Sequence, residues 1–168
     1  MRKLILKKKS ISGATVVEII IYTFLLFSLL FILTEIFASI LDAQKNTTAY
    51  SALESDSRYI LQKFIYEISN STSIDVPLII GDSGYTLTIT RDGINNSFFL
   101  SNSNLILSRA GQNMELNSYL TNVESLTVTK LGNPSGSQLV NISLSMSSKI
   151  QETSGVQNNT YQITVGLR

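Results

Sequence analysis

The sequence of 168 residues lacks the side chains on which most enzyme and metal chemistry depends. It contains no cysteine, no histidine and no tryptophan. Without cysteine there is no disulfide framework and no thiolate metal site. Without histidine, the commonest general base and the commonest metal ligand in proteins are both missing. We therefore expect a protein that is not an enzyme and that uses no metal or other cofactor.

Residues that break helices are missing from the N-terminal part of the chain. No proline precedes Pro77, and no glycine lies between Gly13 and Gly81. A helix that begins near residue 14 can therefore continue until the polar stretch at residues 70–73. Whether it continues without a break near Asn46 is left open by the sequence.

One long apolar run lies within this interval. No charged residue occurs from Ile19 to Thr34, and a helix from Ala14 to Ile40 would be about 40 Å long. A hydrocarbon core of about 30 Å is spanned by such a helix. The run is preceded by basic residues alone, at Arg2, Lys3, Lys7, Lys8 and Lys9. The positive-inside rule then places residues 1–13 in the cytoplasm and the chain after the span outside the membrane.

Three kinds of N-terminal segment fit this outline. A cleaved secretory signal has an apolar core of about 7–15 residues followed by an Ala-x-Ala-like site, but this run is longer and no Ala-x-Ala occurs in residues 1–60. An uncleaved signal anchor explains everything except Glu18, because a carboxylate at the centre of a membrane helix costs about 2.5–3.5 kcal/mol. The third kind is a leader that is cut before the apolar run.

The segment Ser12-Gly13-Ala14-Thr15-Val16-Val17-Glu18 resembles the prepilin cleavage motif of type IV pilins and type II secretion pseudopilins. The resemblance implies that a prepilin peptidase cuts after Gly13 and that Ala14 becomes an N-methylated first residue. It also implies that Glu18 stays in the membrane and sets the register between subunits. The family usually has phenylalanine at the position of Ala14.

The electrostatics of Glu18 agree with this role. Cleavage after Gly13 would create an α-amino group four residues before Glu18, and opposite charges that are costly alone in lipid become tolerable when paired. The pair could form within one helix or between two subunits. The alternative is that Glu18 lies at the membrane interface and reaches cytoplasmic water.

A second, amphipathic stretch follows the apolar run. Its apolar positions have 3/4 spacing and predict one buried stripe, formed by Tyr50, Leu53, Ser57, Ile60, Leu61, Phe64, Ile65 and Ile68. The opposite face holds Glu54, Arg58, Gln62, Lys63 and Glu67. The helix would thus be apolar on all sides in its first half and on one side in its second half.

Beyond Pro77 the apolar period changes to two, which is typical of strands. We predict strands at residues 85–90, 97–100, 105–108, 123–131, 139–146 and 161–165, with a hairpin turn at Asp92-Gly93. Five or six antiparallel strands with one apolar face need a cover, which the amphipathic stripe supplies. The fold class is α+β, a long N-terminal helix packed on an antiparallel sheet. The domains are a leader (1–13), a membrane or filament-core helix (14–40), an amphipathic helix (41–70) and a β domain (71–168).

The other motifs in the sequence do not indicate catalysis, calcium binding or glycosylation. Gly81-Asp82-Ser83-Gly84 is similar to a serine-protease loop, but without histidine it is better explained by a hairpin turn. Asp92-Gly93-Ile94-Asn95 lacks the ligand spacing of an EF-hand. Five Asn-x-Ser/Thr sequons arise by chance in a chain this rich in these residues, at Asn46, Asn70, Asn95, Asn141 and Asn158.

The charge balance also bears on partners. Five of the thirteen basic residues lie in the leader, so residues 14–168 carry eight basic and twelve acidic side chains. This net charge of about −4 and the lack of a basic stripe predict no nucleic-acid binding by this chain alone.

Together these features predict a minor pilin or pseudopilin. It would sit in the bacterial inner membrane with its N-terminus in the cytoplasm, and then enter an envelope or surface filament. The expected partners are the prepilin peptidase, other pilin or pseudopilin subunits and membrane lipid, with any small-molecule ligand unknown. The helix end at residues 59–68 and the segment 98–107 resemble the J/W type of minor pilin. The alternative is a single-pass anchored envelope protein with a binding β domain and no filament role.

Overall fold

The computed structural model describes residues 15–132, 138–151 and 155–167. The predicted leader, with Gly13, and the predicted first residue of the processed chain, Ala14, lie outside this part of the chain. The described residues divide into two compact units with the boundary between Leu41 and Asp42.

Helix α1 runs without a break from Val16 to Ser69. It is helical at Asn46, which the sequence left open, and it ends where the polar stretch Asn70-Ser71-Thr72 begins. Within the first unit its large apolar side chains are exposed on all sides. The helix is long and apolar enough to cross a membrane. This is compatible with a single-pass membrane anchor.

The second unit contains the rest of α1 and two antiparallel sheets. The described strands are β1 (Ser73–Val76), β2 (Ser83–Gly84), β3 (Leu87–Arg91), β4 (Ile94–Ser101), β5 (Asn104–Arg109), β6 (Gln112–Glu115), β7 (Thr121–Gly132), β8 (Gln138–Ser148) and β9 (Asn158–Gly166). The first sheet has the order β1-β3-β4-β5-β6, and the second has the order β2-β7-β8-β9. The segment between β1 and β2 therefore passes from one sheet to the other.

One apolar core joins α1 to both sheets. The helix contributes Leu53, Ile60, Phe64 and Ile68, all fully buried. They pack with Leu87, Ile89 and Phe98 of the first sheet and with Leu126, Ile142 and Leu144 of the second. The rings of Phe64 and Phe98 lie with their centroids 4.6 Å apart. Burial of this stripe is what fixes the second half of α1, because its polar face alone gives a helix little stability.

The α+β class, with a long N-terminal helix and antiparallel strands, is confirmed. The expectation of one sheet is wrong, because the strands form two. Three short strands, β1, β2 and β6, were not predicted. Tyr85 is exposed and precedes β3 rather than belonging to it. The hairpin turn at Asp92-Gly93 is confirmed, with both residues at positive φ.

Candidate functional site

Glu18, the residue that the sequence predicts to set the register between subunits, lies in the first turn of α1. The backbone N–H of Glu18 donates to the hydroxyl of Thr15 at 3.3 Å. Thr15 thus satisfies one of the N–H groups that a helix leaves without a partner at its start.

The carboxylate of Glu18 has a partner in the same helix. The phenol of Tyr22 donates a hydrogen bond to Oε1 of Glu18 at 3.0 Å. Side chains on a helix lean toward its N-terminus, so a long side chain four residues later reaches back to the level of Glu18. The four-residue spacing of Glu18 and Tyr22 is visible in the sequence, but the pair was not predicted from it. The contact leaves Oε2 of Glu18 with no hydrogen bond among the described residues.

The rest of the first unit presents an almost uninterrupted apolar surface. The hydroxyls of Thr23 and Thr34 donate to the carbonyls of Ile19 and Leu30 at 2.6 Å and 2.8 Å. Hydroxyls satisfied by their own backbone add little polarity to the surface. A helix with this outer face needs lipid or other apolar helices around it.

At the other end of α1, Glu67 ties the helix to the first sheet. Its side chain accepts Nζ of Lys63 at 3.1 Å and Nη1 of Arg91 at 3.1 Å. The amide of Asn96 donates to it at 3.2 Å. Arg91 also donates to the hydroxyl of Tyr66 at 3.2 Å and lies over its ring. We name Lys63, Tyr66, Glu67, Arg91 and Asn96 the helix-end cluster.

The sequence placed Glu67 on the exposed face of the helix, and this was wrong. Glu67 is 1% exposed. Lys63 lies one helical turn before Glu67. Arg91 comes from β3, so the residue pattern along the helix cannot reveal it as a partner. Burial is the largest single influence on Glu67 and acts to raise its pKa. The hydrogen bonds from Lys63 and Arg91 and the attraction of both cations outweigh burial, so the pKa of Glu67 is lowered.

A second polar contact ties the middle of this helical segment to the start of the other sheet. Asp56 accepts the backbone N–H of Ser118 at 2.8 Å and the hydroxyl of Thr121 at 2.5 Å. Thr121 is the first residue of β7. Polar contacts as well as the apolar stripe therefore hold this part of α1 on the two sheets.

The other motifs are structural. Ser83 forms β2 with Gly84, and its hydroxyl lies 2.8 Å from that of Thr129 in β7. This loop is a crossing between sheets rather than the hairpin turn we expected. The described residues contain no group of three or more His, Cys, Asp or Glu that could hold a metal ion.

Comparison with known proteins adds no relative. A scan against protein-family models, a search of curated proteins and a search of solved structures each found no match to this chain. The architecture of one long apolar N-terminal helix with antiparallel sheets packed on its second half is pilin-like.

Proposed function

We propose that this protein is a minor pilin or pseudopilin, a structural subunit of a type IV pilus or a type II secretion pseudopilus. The prepilin peptidase would cut it after Gly13 and methylate Ala14. It would then move from the inner membrane into an envelope or surface filament, held there by α1. Its work would be associative rather than catalytic.

The observation that carries this proposal is the carboxylate at the start of an exposed apolar helix. Glu18 follows Gly13 at the prepilin spacing, and the helix beyond it shows apolar side chains in every direction. A plain membrane anchor needs the apolar surface but not the carboxylate, which costs free energy in lipid. A subunit whose helix must take a fixed axial position among other helices needs the apolar surface for packing and the carboxylate for pairing.

The local contacts of Glu18 support a pairing role. Tyr22 satisfies one carboxylate oxygen, and the other is directed to no described group. An α-amino group at Ala14 would supply a second donor of opposite charge one turn away. Whether that amine belongs to the same subunit or to a neighbour decides whether the pair sets register.

The first test is Glu18→Ala compared with the matched control Glu35→Ala. Both residues are carboxylates of α1, but only Glu18 has the prepilin spacing. We expect Glu18→Ala to insert into the membrane and to be processed normally, yet to be lost from sheared filaments or from cross-linked pseudopilus complexes by about tenfold or more, as for loss of a buried ion pair. Glu35→Ala should assemble nearly as the natural protein does.

Normal assembly of Glu18→Ala would contradict the register role. The alternative function is a single-pass signal-anchored envelope protein with a binding β domain, for which neither substitution should change the oligomeric state. The partners we propose are prepilin peptidase, other pilin or pseudopilin subunits and inner-membrane lipid. The likeness of residues 59–68 and 98–107 to the J/W type favours a minor position in the filament.

A further inference from the structure

A groove of about 330 Å³ opens between the end of α1 and the β5–β6 hairpin. Its lining comes from three elements that all belong to the second unit. The lining includes Lys63, Glu67, Leu107, Arg109, Gln112 and Met114. Neither the proposed filament role nor the register of α1 uses this groove.

The floor of the groove is a part of the core-facing side of the first sheet that α1 does not cover. Leu107 and Met114 are directly opposite each other in the β5–β6 ladder, so their side chains share one face. Leu107 is 3% exposed and belongs to the core, whereas Met114 is 52% exposed. A flexible thioether left open beside a core leucine is a surface that adapts to an apolar side chain.

The walls of the groove have an excess of positive charge. Glu67 is the one carboxylate that the described part of the chain contributes to the lining. It is already paired with Lys63 and Arg91. Arg109 makes no ion pair among the described residues, and its pairing with Gln112 in the ladder places it on the same face as Met114. The groove therefore complements a ligand that carries one apolar group and one negative charge.

The edge of the sheet beside the groove has backbone groups available for pairing. The N–H of Leu116 donates to the carbonyl of Leu105 at 2.9 Å. Because bonded and non-bonded pairs alternate in an antiparallel ladder, Gln112 and Met114 also direct their backbone groups toward β5. Asn113 and Glu115 direct theirs to the open side, since β6 ends the described sheet.

We propose that this groove and the β6 edge bind an extended segment of a partner protein that carries an apolar residue followed two positions later by an acidic one. The segment adds to β6 as an antiparallel strand through the backbone of Asn113 and Glu115. Its apolar side chain lies on Met114, and its carboxylate, about 7 Å further along the same face, meets Arg109. Charge complementarity selects the acidic partner.

The test uses the full-length chain in detergent micelles and the peptide acetyl-Thr-Leu-Thr-Glu-Thr-amide, with binding followed by backbone amide NMR. We expect saturable shifts centred on Asn113 and Glu115. The peptide with glutamine in place of glutamate should bind roughly two- to fivefold more weakly, as expected for one exposed ion pair. Arg109→Gln should remove this difference between the two peptides. Arg58→Gln, which removes an exposed charge on α1 outside the groove, should preserve it.

Asn113→Pro tests the strand addition itself. The N–H of Asn113 points to the open side, so proline there leaves the β5–β6 hairpin bonds intact. The substitution should weaken binding of the acidic peptide by about tenfold, the loss expected for a missing backbone hydrogen bond and a steric clash at the edge. Unchanged binding by Asn113→Pro, equal affinity for the two peptides, or no saturable shift at the groove would each overturn the proposal. None of these results depends on filament assembly, so they leave the test of Glu18 separate.

Discussion

At the scale of single residues, Glu67 shows how a charged side chain becomes part of a core. It occupies a helix position between two buried residues, Phe64 and Ile68, and it faces β3 rather than water. Two cations and the amide of Asn96 replace the water it loses. A buried carboxylate that loses such partners is strongly destabilising, so the cluster is tied to the correct packing of helix on sheet.

We expect Glu67→Gln to lower the free energy of unfolding of the sheet domain by about 2–3 kcal/mol at neutral pH, because Lys63 and Arg91 then lose their anionic partner. Denaturant unfolding of the whole chain in detergent measures this. Glu54→Gln is the matched control, since Glu54 pairs with Arg58 at the surface. Its effect should stay within about 0.5 kcal/mol.

The difference in unfolding free energy between the natural protein and Glu67→Gln should depend on pH. The pKa of Glu67 is lowered in the folded state, so its contribution is complete above the ordinary value of 4.5. It is lost as the pH falls through that value toward the lowered pKa, because protons then bind the unfolded chain first. The difference between natural protein and Glu67→Gln should therefore shrink in acid. A difference that stays constant with pH would contradict the ion-pair explanation.

At the scale of elements, periodicity predicted most of what is buried. The 3/4 spacing along α1 correctly identified Leu53, Ser57, Ile60, Phe64 and Ile68 as buried. It also included Tyr50 and Ile65, which are exposed, because the stripe that the sheets cover is narrower than the apolar set.

In the strands, too, apolar periodicity does not predict every structural feature. In β7 the inward residues Val123 and Leu126 break strict alternation, and a β-bulge between Val123 and Ser125 accounts for the extra residue. The edge strand β6 has no buried residue, so no apolar alternation marks it. Strand β6 forms because its backbone pairs with β5. That pairing cannot be predicted from a single sequence.

We expect Phe64→Ala to destabilise the sheet domain by about 3–5 kcal/mol, since it opens a cavity against Phe98 in the centre of the core. Ile65→Ala, one position along the same helix, removes a side chain that is 42% exposed and should cost about 1 kcal/mol or less. Thermal unfolding of the two variants compares them directly. Similar losses for both would mean that the stripe is not the part of α1 held by the sheets.

At the scale of the whole molecule, the sequence predicted a long helix followed by antiparallel strands, and that is confirmed. The division of the strands into two sheets was not predicted. It depends on which strands pair, and the crossing at residues 77–82 carries no local signal that distinguishes it from a turn. For the candidate site, Glu18 was identified from its spacing to Gly13, whereas Tyr22 and Arg91 emerged only with the side-chain contacts.

The central claim is that the chain is a processed filament subunit, and the intact mass and N-terminal peptide of protein from its native membranes test it most directly. We expect a chain that begins at Ala14, with or without a methyl group. In Gly13→Leu the bulky side chain should block cleavage and leave the full-length protein. A natural protein that still begins at Met1 in those membranes would contradict the claim and favour a simple membrane anchor.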